Sequence, residues 1–420
     1  MSGKVRVGVL GVKRGTGMVE DCVKSGNEKF EIVAICDKWI EGLEAEKKKH
    51  RDKNIAFYPD FNDFINHDMD AVVLANYGSE HAPFAVRCLD RGLHVFSEVT
   101  ACQNMKEAVE LVEAVEKSGK VYALGEQYCF MPAPRRMKEY YEAGKLGVLE
   151  LADCEYAHDS SDGWHRLTFG DPNHWRNRAY STFYCTHSIG PILHATGLRP
   201  VTVTGWESVN NERRTSVGAR TASFGVSMVT LNNGAIVKAV NGNLRSGTLW
   251  YAMYGSKGKM ESARSITRDG GVGHFRAELY GEDGKENLEN LYLAGDVKDP
   301  DYDPYGGAIG ICFGNFIDRV LGDGNADTIG VYEALDMTLP GLFAYRSILE
   351  GGVPLAVPDM RDPATREKYR NDTLCTDPAA AGDMLVPAYS KGEPKIDPSV
   401  YEKVRRKFIE EMEKGEFKPE

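Results

Sequence analysis

The chain has 420 residues, of which 42% are hydrophobic and 27% charged, and its 51 Lys and Arg against 62 Asp and Glu give a net charge of −11. At ~150 residues per domain, this length predicts two or three domains with a sizeable core. The composition excludes a disordered, fibrous or disulfide-stapled small protein. The negative balance disfavours a nucleic-acid backbone or an anionic bilayer, and no apolar run approaches a membrane span. We therefore expect neither nucleic acid nor membrane as a partner.

The cysteines and the N-terminus indicate the compartment. Nine cysteines stand singly, with no C-x-x-C pair and no zinc-finger spacing, which predicts reduced core thiols. The first residues enter an alternating apolar pattern without the features of a secretion signal. We expect a cytoplasmic protein.

A strand, a glycine turn and a helix open the chain. The apolar run 5–10 ends in GVKRGTG at 11–17, and a helix-permissive stretch follows to residue 26. The next strand, 30–36, ends in Asp37, close to where a dinucleotide-binding fold places the carboxylate for the ribose hydroxyls; an acidic residue there favours NAD over NADP. A strict G-x-G-x-x-G from Gly11 would need glycine where Lys13 and Thr16 stand. The alternative interpretation is therefore a glycine-rich turn that only packs the helix against the strand and binds no nucleotide.

The alternation of strand and helix continues to residue 124. Apolar runs at 70–75, 93–97 and 121–124 predict buried parallel strands, and helices are predicted over 80–90 and 104–117. The second helix carries the capping-box pair Asn104 and Glu107 and the stop signal Gly119. This pattern predicts a doubly wound α/β domain over 1–125 that binds NAD at the carboxyl ends of its strands.

From residue 147 the pattern changes to strands joined by hairpin turns. The pairs 224–231 with 235–240, and 250–254 with 259–262, flank short turn segments. Helices are predicted over 131–143, 187–196, 307–321, 330–350 and 398–414. We predict an α+β substrate domain over 126–360 with a mostly antiparallel sheet. Residues 361–420, polar and with little periodicity up to 397, are predicted to form an arm and a helix that pack on the other domains.

Titratable and aromatic side chains concentrate in one segment of this second half. Five of the ten histidines, at positions 158, 165, 174, 187 and 194, fall within 37 residues. The same segment contains Asp159, Asp162, Trp164, Trp175, Arg176, Tyr180 and Tyr184. Aromatic faces for CH surfaces, Arg and Asp for hydroxyls, and His or Tyr for protons suit a sugar-like substrate.

The chain resembles the Gfo/Idh/MocA oxidoreductase family, whose members place a Rossmann domain before a domain with a large open sheet. Family members read Asp-Ala-Val-x-Ile-Ala-x-Pro-x-x-x-His after the fourth strand, which resembles DAVVLANYGSEHAP at 70–83. They then carry His-Val-x-x-Glu-Lys-Pro, whereas this chain has HVFSEVT at 94–100, so Val99 replaces the usual catalytic lysine. The cofactor residues that the resemblance and the strand pattern imply are Gly11, Lys13, Arg14, Gly15, Asp37, Asn76, His81, Glu98, Val99 and Gln127.

The Glu98-Val99 form resembles the family's NAD-dependent glycosidase branch, the α-N-acetylgalactosaminidase-like enzymes of glycoside hydrolase family 109. The branch elements Tyr-x-His-Asp, Trp-Arg and Tyr-Pro-Thr-His-Gly-Leu-Gly-Pro resemble YAHD at 156–159, WR at 175–176 and YCTHSIGP at 184–191. Its His-Gly-Gly, Val-Tyr-Asp-Ala and Ile-Pro-Asp-Phe resemble YGG at 305–307, VYEA at 331–334 and VPDM at 357–360. Its Glu-Asn-x-x-Tyr corresponds to EQYCF at 126–130, so that its tyrosine is either shifted to Tyr128 or replaced by Phe130. The ungapped spacing to Gly144, Gly147 and His158 favours Phe130, with Tyr128 as a candidate.

The resemblance implies a glycoside hydrolase that keeps NAD bound. C3 of the sugar is oxidised, the C1 substituent is eliminated, water adds, and C3 is reduced again, which requires bases and an acid near neutral pKa. We expect His187 and Tyr184 to act on the C3 hydroxyl and the C2 proton, with Tyr128 and His158 as acid or positioning candidates. The expected substrate-binding residues are Asp159, Trp175, Arg176, Thr186 and Tyr305.

Two other functions remain open. A conventional NAD-dependent sugar or inositol dehydrogenase would use His187 as its base, and a non-catalytic NAD-binding sensor would use none of these groups. No metal site is predicted, because Glu126, His158 and His187, the set considered, lack compact ligand spacing. The family resemblance implies a homo-oligomer, either a dimer or a tetramer.

Overall fold

The structure, a computed structural model, describes residues 3–24, 26–245, 247, 249–264, 273–293 and 307–414. The chain forms two compact units. The first comprises Met1–Gln127, Gly307–Leu335 and Met360–Asp372, and the second comprises Tyr128–Gly306, Asp336–Asp359 and Thr373–Glu420. Two late segments therefore group with the first unit, whereas the sequence prediction assigned them to the domain 126–360 and to the arm 361–420.

The strands of the described residues are numbered in chain order. They are β1 (Val5–Leu10), β2 (Phe30–Cys36), β3 (Ala56–Tyr58), β4 (Ala71–Leu74), β5 (His94–Ser97), β6 (Tyr122–Leu124), β7 (Leu149–Ala157), β8 (Pro200–Glu207), β9 (Phe224–Leu231), β10 (Ile236–Gly242), β11 (Leu249–Gly255), β12 (Gly258–Ser262), β13 (His274–Tyr280), β14 (Glu286–Tyr292) and β15 (Leu355–Ala356).

The α-helices are numbered in the same way. They are α1 (Arg14–Lys24), α2 (Ile40–Lys49), α3 (Phe61–Phe64), α4 (His81–Asp90), α5 (Met105–Ser118), α6 (Pro132–Glu142), α7 (Trp164–Thr168), α8 (Cys185–Thr196), α9 (Glu212–Thr215), α10 (Ala308–Val320), α11 (Val331–Leu349), α12 (Pro363–Tyr369), α13 (Pro378–Ala381) and α14 (Pro398–Glu413). Single 3-10 turns are Gln127–Phe130, Ser161–Gly163, Trp175–Asn177 and Gly382–Met384.

A six-stranded parallel sheet forms the first unit, in the order β3-β2-β1-β4-β5-β6. This is the doubly wound order, and it confirms the predicted fold class for this half. The order reverses between β1 and β4, and in such sheets ligands bind outside the carboxyl ends of the strands at that reversal. The loops after β1 and β4 are therefore the expected ligand site.

Local signals account for the helices around this sheet. The side chain of Asn104 accepts a hydrogen bond from the backbone N–H of Glu107 at 2.9 Å, and Gly119 ends α5 with φ of 61°. The predicted cap and stop are thus confirmed. The late helix α10 packs against α1, and its Phe313 ring lies 5.2 Å from the rings of Phe30 and Phe96. These apolar contacts explain why a late segment belongs to the first unit.

The second unit is built on a nine-stranded sheet in the order β14-β13-β12-β11-β7-β10-β9-β8-β15. The pair β10 and β7 is parallel, and the other neighbouring pairs are antiparallel, as predicted. Along β9, buried and half-buried residues alternate, which is the pattern of a sheet covered on one face. Helix α8 packs on β7, β10 and β11.

Two short helices interrupt the stretch 361–397, where the sequence predicted none. Asp362 and Asp377 accept hydrogen bonds from the first backbone N–H groups of α12 and α13, and proline follows each cap. These helices, of seven and four residues, are too short to show a periodic apolar pattern. Only their capping residues indicate them in the sequence. None of the described helices has both the length and the apolar character needed to cross a membrane.

Candidate functional site

The glycine turn after β1 is set by close approach of the backbone. Gly11 has φ of +105°, and a Cβ built there would lie 2.4 Å from the carbonyl oxygen of Ala75, after β4. A Cβ on Gly15 would lie 2.8 Å from a methyl group of Val9, so this glycine lets α1 pack onto β1. Lys13, at the second motif position, has φ of 70°. The degenerate motif therefore keeps the tight turn and the close packing that a dinucleotide-binding loop requires.

Asp37 fixes the second loop. One carboxylate oxygen accepts the backbone N–H of Val12 and the other that of Trp39, both at 2.8 Å. The Lys13 ammonium lies 3.9 Å from the centroid of the Trp39 ring. Burial lowers the pKa of Lys13 to about 8, although the nearby Asp37 carboxylate opposes the shift. A carboxylate and a titrating amine therefore share the end of β2.

A polar network lies at the end of β5. Arg14 donates from Nε to Glu98 at 2.5 Å and from a terminal nitrogen to the side-chain oxygen of Gln127 at 2.8 Å. The Val99 backbone N–H donates to the other oxygen of Glu98 at 3.1 Å. The Val99 side chain is buried. The position where the resembling family has lysine therefore offers no group that can move a proton.

Asn76 and His81 bring buried polar atoms to the end of β4. Asn76 donates to Glu80 at 3.2 Å, while its side-chain oxygen is buried and has no hydrogen-bond partner within the described ranges. His81 begins α4, and its Nδ1 lies 3.3 Å from the carbonyl oxygen of Thr100. Burial lowers the pKa of His81, so the ring is neutral. A buried hydrogen-bond acceptor next to the glycine turn suits a dinucleotide bound where the strand order of the sheet reverses.

In the second unit, four rings form one group that we name the aromatic cluster: Tyr128, Tyr156, Tyr184 and His187. The His187 ring centroid lies 4.4 Å from that of Tyr128, 4.6 Å from that of Tyr156 and 5.4 Å from that of Tyr184. His187 and Tyr184 are parallel within 1°. His187 lies in the first turn of α8, which begins at Cys185 and thus two residues before the predicted start.

Hydrogen bonds hold two members of the aromatic cluster. Arg176 donates to the Tyr184 hydroxyl at 2.8 Å, and its guanidinium lies 4.7 Å from the Trp175 ring centroid. The Tyr251 hydroxyl donates to the backbone carbonyl of His187 at 2.6 Å, which fixes the first turn of α8. The first contact places a cation beside the phenol oxygen of Tyr184, and the second fixes the backbone that carries the imidazole of His187.

Thr186 and Trp175 supply two further buried polar atoms. The hydroxyl of Thr186 and the indole N–H of Trp175 are buried and make no hydrogen bond to any residue that the structure describes. Buried polar groups in proteins are nearly always satisfied, so each is a candidate contact for a ligand.

His158 and Asp159 diverge from one another although they are adjacent in the sequence. The exposed His158 ring is parallel to the Tyr156 ring within 6°, at 6.0 Å between centroids. Asp159 accepts hydrogen bonds from Arg213 at 2.6 Å and from the Ser161 backbone at 3.1 Å. Although burial opposes it, the hydrogen bonds from Ser161 and the Arg213 cation lower the pKa of Asp159. Asp159 is therefore an anion tied to Arg213.

The other three histidines of the segment have partners elsewhere in the second unit. His165 Nε2 lies 2.8 Å from a carboxylate oxygen of Glu411, and His174 Nδ1 accepts the Arg176 backbone N–H at 3.3 Å. His194 lies two turns further along α8, where its Nε2 is 3.0 Å from Lys138. The histidines that are close in sequence thus divide into separate sites, with His158 and His187 in contact with Tyr156.

The structure also identifies residues that the sequence prediction missed. Tyr156 contacts all three other members of the aromatic cluster, and its signal was its place in the YAHD segment. Tyr251 and Arg213 act through tertiary contacts that no local pattern marks. Of the two tyrosine alternatives, Tyr128 lies in the cluster, whereas the Phe130 ring lies 5.2 Å from His194. Tyr305 lies outside the described residues.

Comparison with known proteins gives one family and several distant relatives. Residues 5–126 match the model of the Gfo/Idh/MocA oxidoreductase family with its NAD-binding Rossmann fold. The chain is 26% identical over 201 residues to "Glycosyl hydrolase family 109 protein 1" of Shewanella sp. (strain ANA-3). It is 24% identical over 203 residues to an "Alpha-N-acetylgalactosaminidase" of Shewanella oneidensis. Both alignments cover 45% of this chain and 43% of the relative, so less than half the length of these relatives is matched.

Among solved structures, the WlbA dehydrogenase from Bordetella pertussis, crystallised with NADH and UDP-GlcNAcA, has the same fold. The TM-score is 0.67 at 18% identity, covering 85% of this chain and 99% of that one. At this identity the likeness shows the fold alone, and it includes the large second sheet.

Proposed function

We propose that this chain, whose residues 5–126 match the model of the Gfo/Idh/MocA oxidoreductase family with its NAD-binding Rossmann fold, is a glycoside hydrolase that retains NAD. The observation that carries the proposal is His187, whose ring lies within 5.4 Å of three tyrosine rings. One of those tyrosines accepts a hydrogen bond from Arg176. The proposed substrate is a small glycoside.

The first unit suits the cofactor. The missing side chain of Gly11 lets the turn after β1 pack against the carbonyl group of Ala75, and Asn76 presents a buried acceptor at the same edge of the sheet. When bound, NAD supplies a reversible oxidation of a sugar carbon bearing a hydroxyl, and the ketone formed acidifies the neighbouring C–H.

Because Val99 cannot act as a base, we assign the proton transfers to side chains of the second unit. An alkyl side chain cannot take the proton of a sugar hydroxyl, and Glu98 already accepts a hydrogen bond from Arg14. We therefore assign the bases for the C3 hydroxyl and the C2 proton to His187 and Tyr184. Imidazole is suited to this work because its ordinary pKa lies near neutrality.

The contact between Arg176 and Tyr184 gives the phenol a defined role. Because Arg176 donates to the phenol oxygen, the adjacent cation stabilises the phenolate, which is the form of Tyr184 that can accept a proton as a base. Tyr251 donates to the backbone carbonyl of His187, and the His187 ring is parallel to that of Tyr184. Tyr128 and His158 are proposed as leaving-group acid or positioning groups, and Thr186 and Trp175 as hydrogen-bond partners of the sugar.

Elimination through a ketone does not need the paired carboxylates of ordinary glycosidases. Asp159, the carboxylate predicted to bind the substrate, is paired with Arg213. The names of the two Shewanella relatives, a glycosyl hydrolase and an alpha-N-acetylgalactosaminidase, support a glycoside as the substrate.

The decisive experiment follows the C2 hydrogen. The purified chain is incubated with aryl glycosides in D2O without added NAD, and the released sugar is analysed by NMR. The proposal predicts turnover with deuterium at C2. Accumulation of NADH and keto-sugar would instead make the protein a sugar dehydrogenase, and absence of any reaction across glycosides would leave a non-catalytic NAD-binding protein.

His187→Asn is the first variant to test, with His194→Asn, a buried histidine on the same helix, as its control. Loss of a positioned base lowers the rate by roughly 10²–10⁴-fold, so C2 exchange should fall by that amount while bound NAD is retained. His194→Asn should keep both properties. If His187→Asn loses NAD together with activity, or keeps full exchange, His187 is not the base.

A further inference from the structure

Helices α1 and α2 bring a histidine and two carboxylates together in the first unit. Glu46 and His50 are one turn apart at the end of α2, and Glu20 comes from α1. His50 Nε2 lies 3.2 Å from an oxygen of Glu46 and 3.4 Å from an oxygen of Glu20. These three ligand atoms all lie within 4.8 Å of one another.

The His50 side chain is buried and directed at this group. It is 4% exposed, and its Nε2 makes no hydrogen bond with any described residue. A buried ring nitrogen that faces two carboxylates without a hydrogen bond is costly unless another partner binds there.

The spacing matches that of metal ligands. Zinc binds His nitrogen at about 2.0–2.1 Å and carboxylate oxygen at about 2.0–2.2 Å, so two ligands of a tetrahedral ion lie roughly 3.3–3.5 Å apart. The distances from His50 to the two carboxylates, 3.2 and 3.4 Å, approach this value. One imidazole and two carboxylates also neutralise a dication.

Lys49 is the competing cation. Its ammonium lies 2.5 Å from Glu20 and 3.8 Å from Glu46, and its side chain is 48% exposed. It can therefore leave for solvent at small cost when a dication replaces it.

We propose that Glu20, Glu46 and His50 bind a divalent transition ion of the zinc type, in place of the ion pairs made by Lys49. Such an ion would join α1 to α2, the helices that follow the glycine turn and the Asp37 loop, and would thereby hold those two loops together. This site is independent of the proposed glycosidase reaction.

The test is a titration of the tag-free, metal-stripped full chain with Co²⁺, read by visible absorption, followed by competition with Zn²⁺. One equivalent should bind with the intense bands of a four-coordinate N/O site, and the Tm should rise with metal concentration. His50→Gln and Glu46→Gln should each weaken binding about 100-fold or more, because removal of even an outer-shell partner costs roughly 10–100-fold.

The controls distinguish a metal site from a network of ion pairs. Glu44→Gln, an exposed change on the same helix, should leave Co²⁺ affinity unchanged, and Lys49→Met should increase it. If His50→Gln does not fold, as judged by loss of bound NAD and of a cooperative thermal transition, the more exposed Glu20→Gln takes its place. Absence of a one-equivalent Co²⁺ complex, or equal affinity after loss of His50 or Glu20, would overturn the proposal, as would weaker binding in Lys49→Met.

Discussion

The cofactor site of the first unit and the aromatic cluster of the second are built in opposite ways. In the first unit, the candidate residues stand in the loop that follows a strand or in the first turn of the helix after it, and several contacts are made by the backbone, as between Gly11 and Ala75. In the second unit, Tyr128, Tyr156 and His187 come from a 3-10 turn, a strand and a helix that are far apart in the sequence. A site made by one repeated strand-to-helix geometry follows from local pattern, whereas a site made by side chains of distant elements depends on how the sheet and helices pack.

This difference predicts how substitutions act. In the cofactor site the backbone should be the sensitive part, and damage should appear as lost NAD. In the aromatic cluster the side chains should be the sensitive part, and damage should appear as lost turnover with NAD retained.

Gly11→Ala should have the largest effect. The new Cβ would meet the Ala75 carbonyl at 2.4 Å in a backbone conformation with φ of +105°, which together cost about 3 kcal/mol or more. We expect a lower Tm and loss of bound NAD, measured by thermal unfolding and by the absorbance of the released cofactor.

Gly17→Ala is the matched control for Gly11→Ala. A Cβ on Gly17 meets no atom within 4 Å, and the residue lies inside α1, so alanine should stabilise the helix by ~0.5–1 kcal/mol. Equal NAD loss in both variants would mean that the turn is not the cofactor cradle.

Arg176→Met should have a smaller effect, confined to turnover. It removes a hydrogen bond from a charged donor to the Tyr184 hydroxyl, and such bonds contribute ~1.5–3 kcal/mol, so glycoside turnover should fall roughly 10–100-fold. NAD content should stay unchanged. The exposed Arg276→Met serves as control, and unaltered turnover in Arg176→Met would remove Tyr184 from the proposed proton chemistry.

The smallest expected effect is the contribution of Lys13 to NAD affinity, and this contribution depends on pH. Because burial lowers the pKa of Lys13 to about 8, its amine is charged below that pH and neutral above it. NAD is an anion, so its affinity should decrease a few-fold as the pH rises through 8, in line with ~0.2–1 kcal/mol for a partly exposed charge pair. Lys13→Met should flatten this profile, as measured by fluorescence titration, whereas Lys24→Met, an exposed change at the end of α1, should not. A wild-type profile that is flat across pH 8 would show that Lys13 does not contact the cofactor's charge.

Several elements were predicted closely because their signals are local. The strands β1 and β2 have the predicted limits, and the cap at Asn104 and the stop at Gly119 lie where the capping pattern indicated. The match of residues 5–126 to an NAD-binding family confirms the cofactor that Asp37 and the glycine turn predicted.

The three proposed metal ligands were not predicted from the sequence. Glu46 and His50 have the i, i+4 spacing that places two side chains on one helix face, but that spacing is also common in surface ion pairs. The third group, Glu20, comes from another helix, and its approach to His50 is a tertiary fact.

The sequence by itself determined the doubly wound first half, the change to hairpins after residue 147 and the loss of lysine at Val99, because backbone period, caps and residue identity are local properties. Only the tertiary structure showed which histidines lie in the same site. Five histidines within 37 residues divide among Glu411, Lys138, the Trp175–Asn177 turn and the aromatic cluster, since successive turns and segments face different surroundings once they pack. The negative charge of the chain disfavoured nucleic-acid and membrane partners, but the position of His187 beside Tyr156 and Tyr184 came from the packing of α8 on the second sheet.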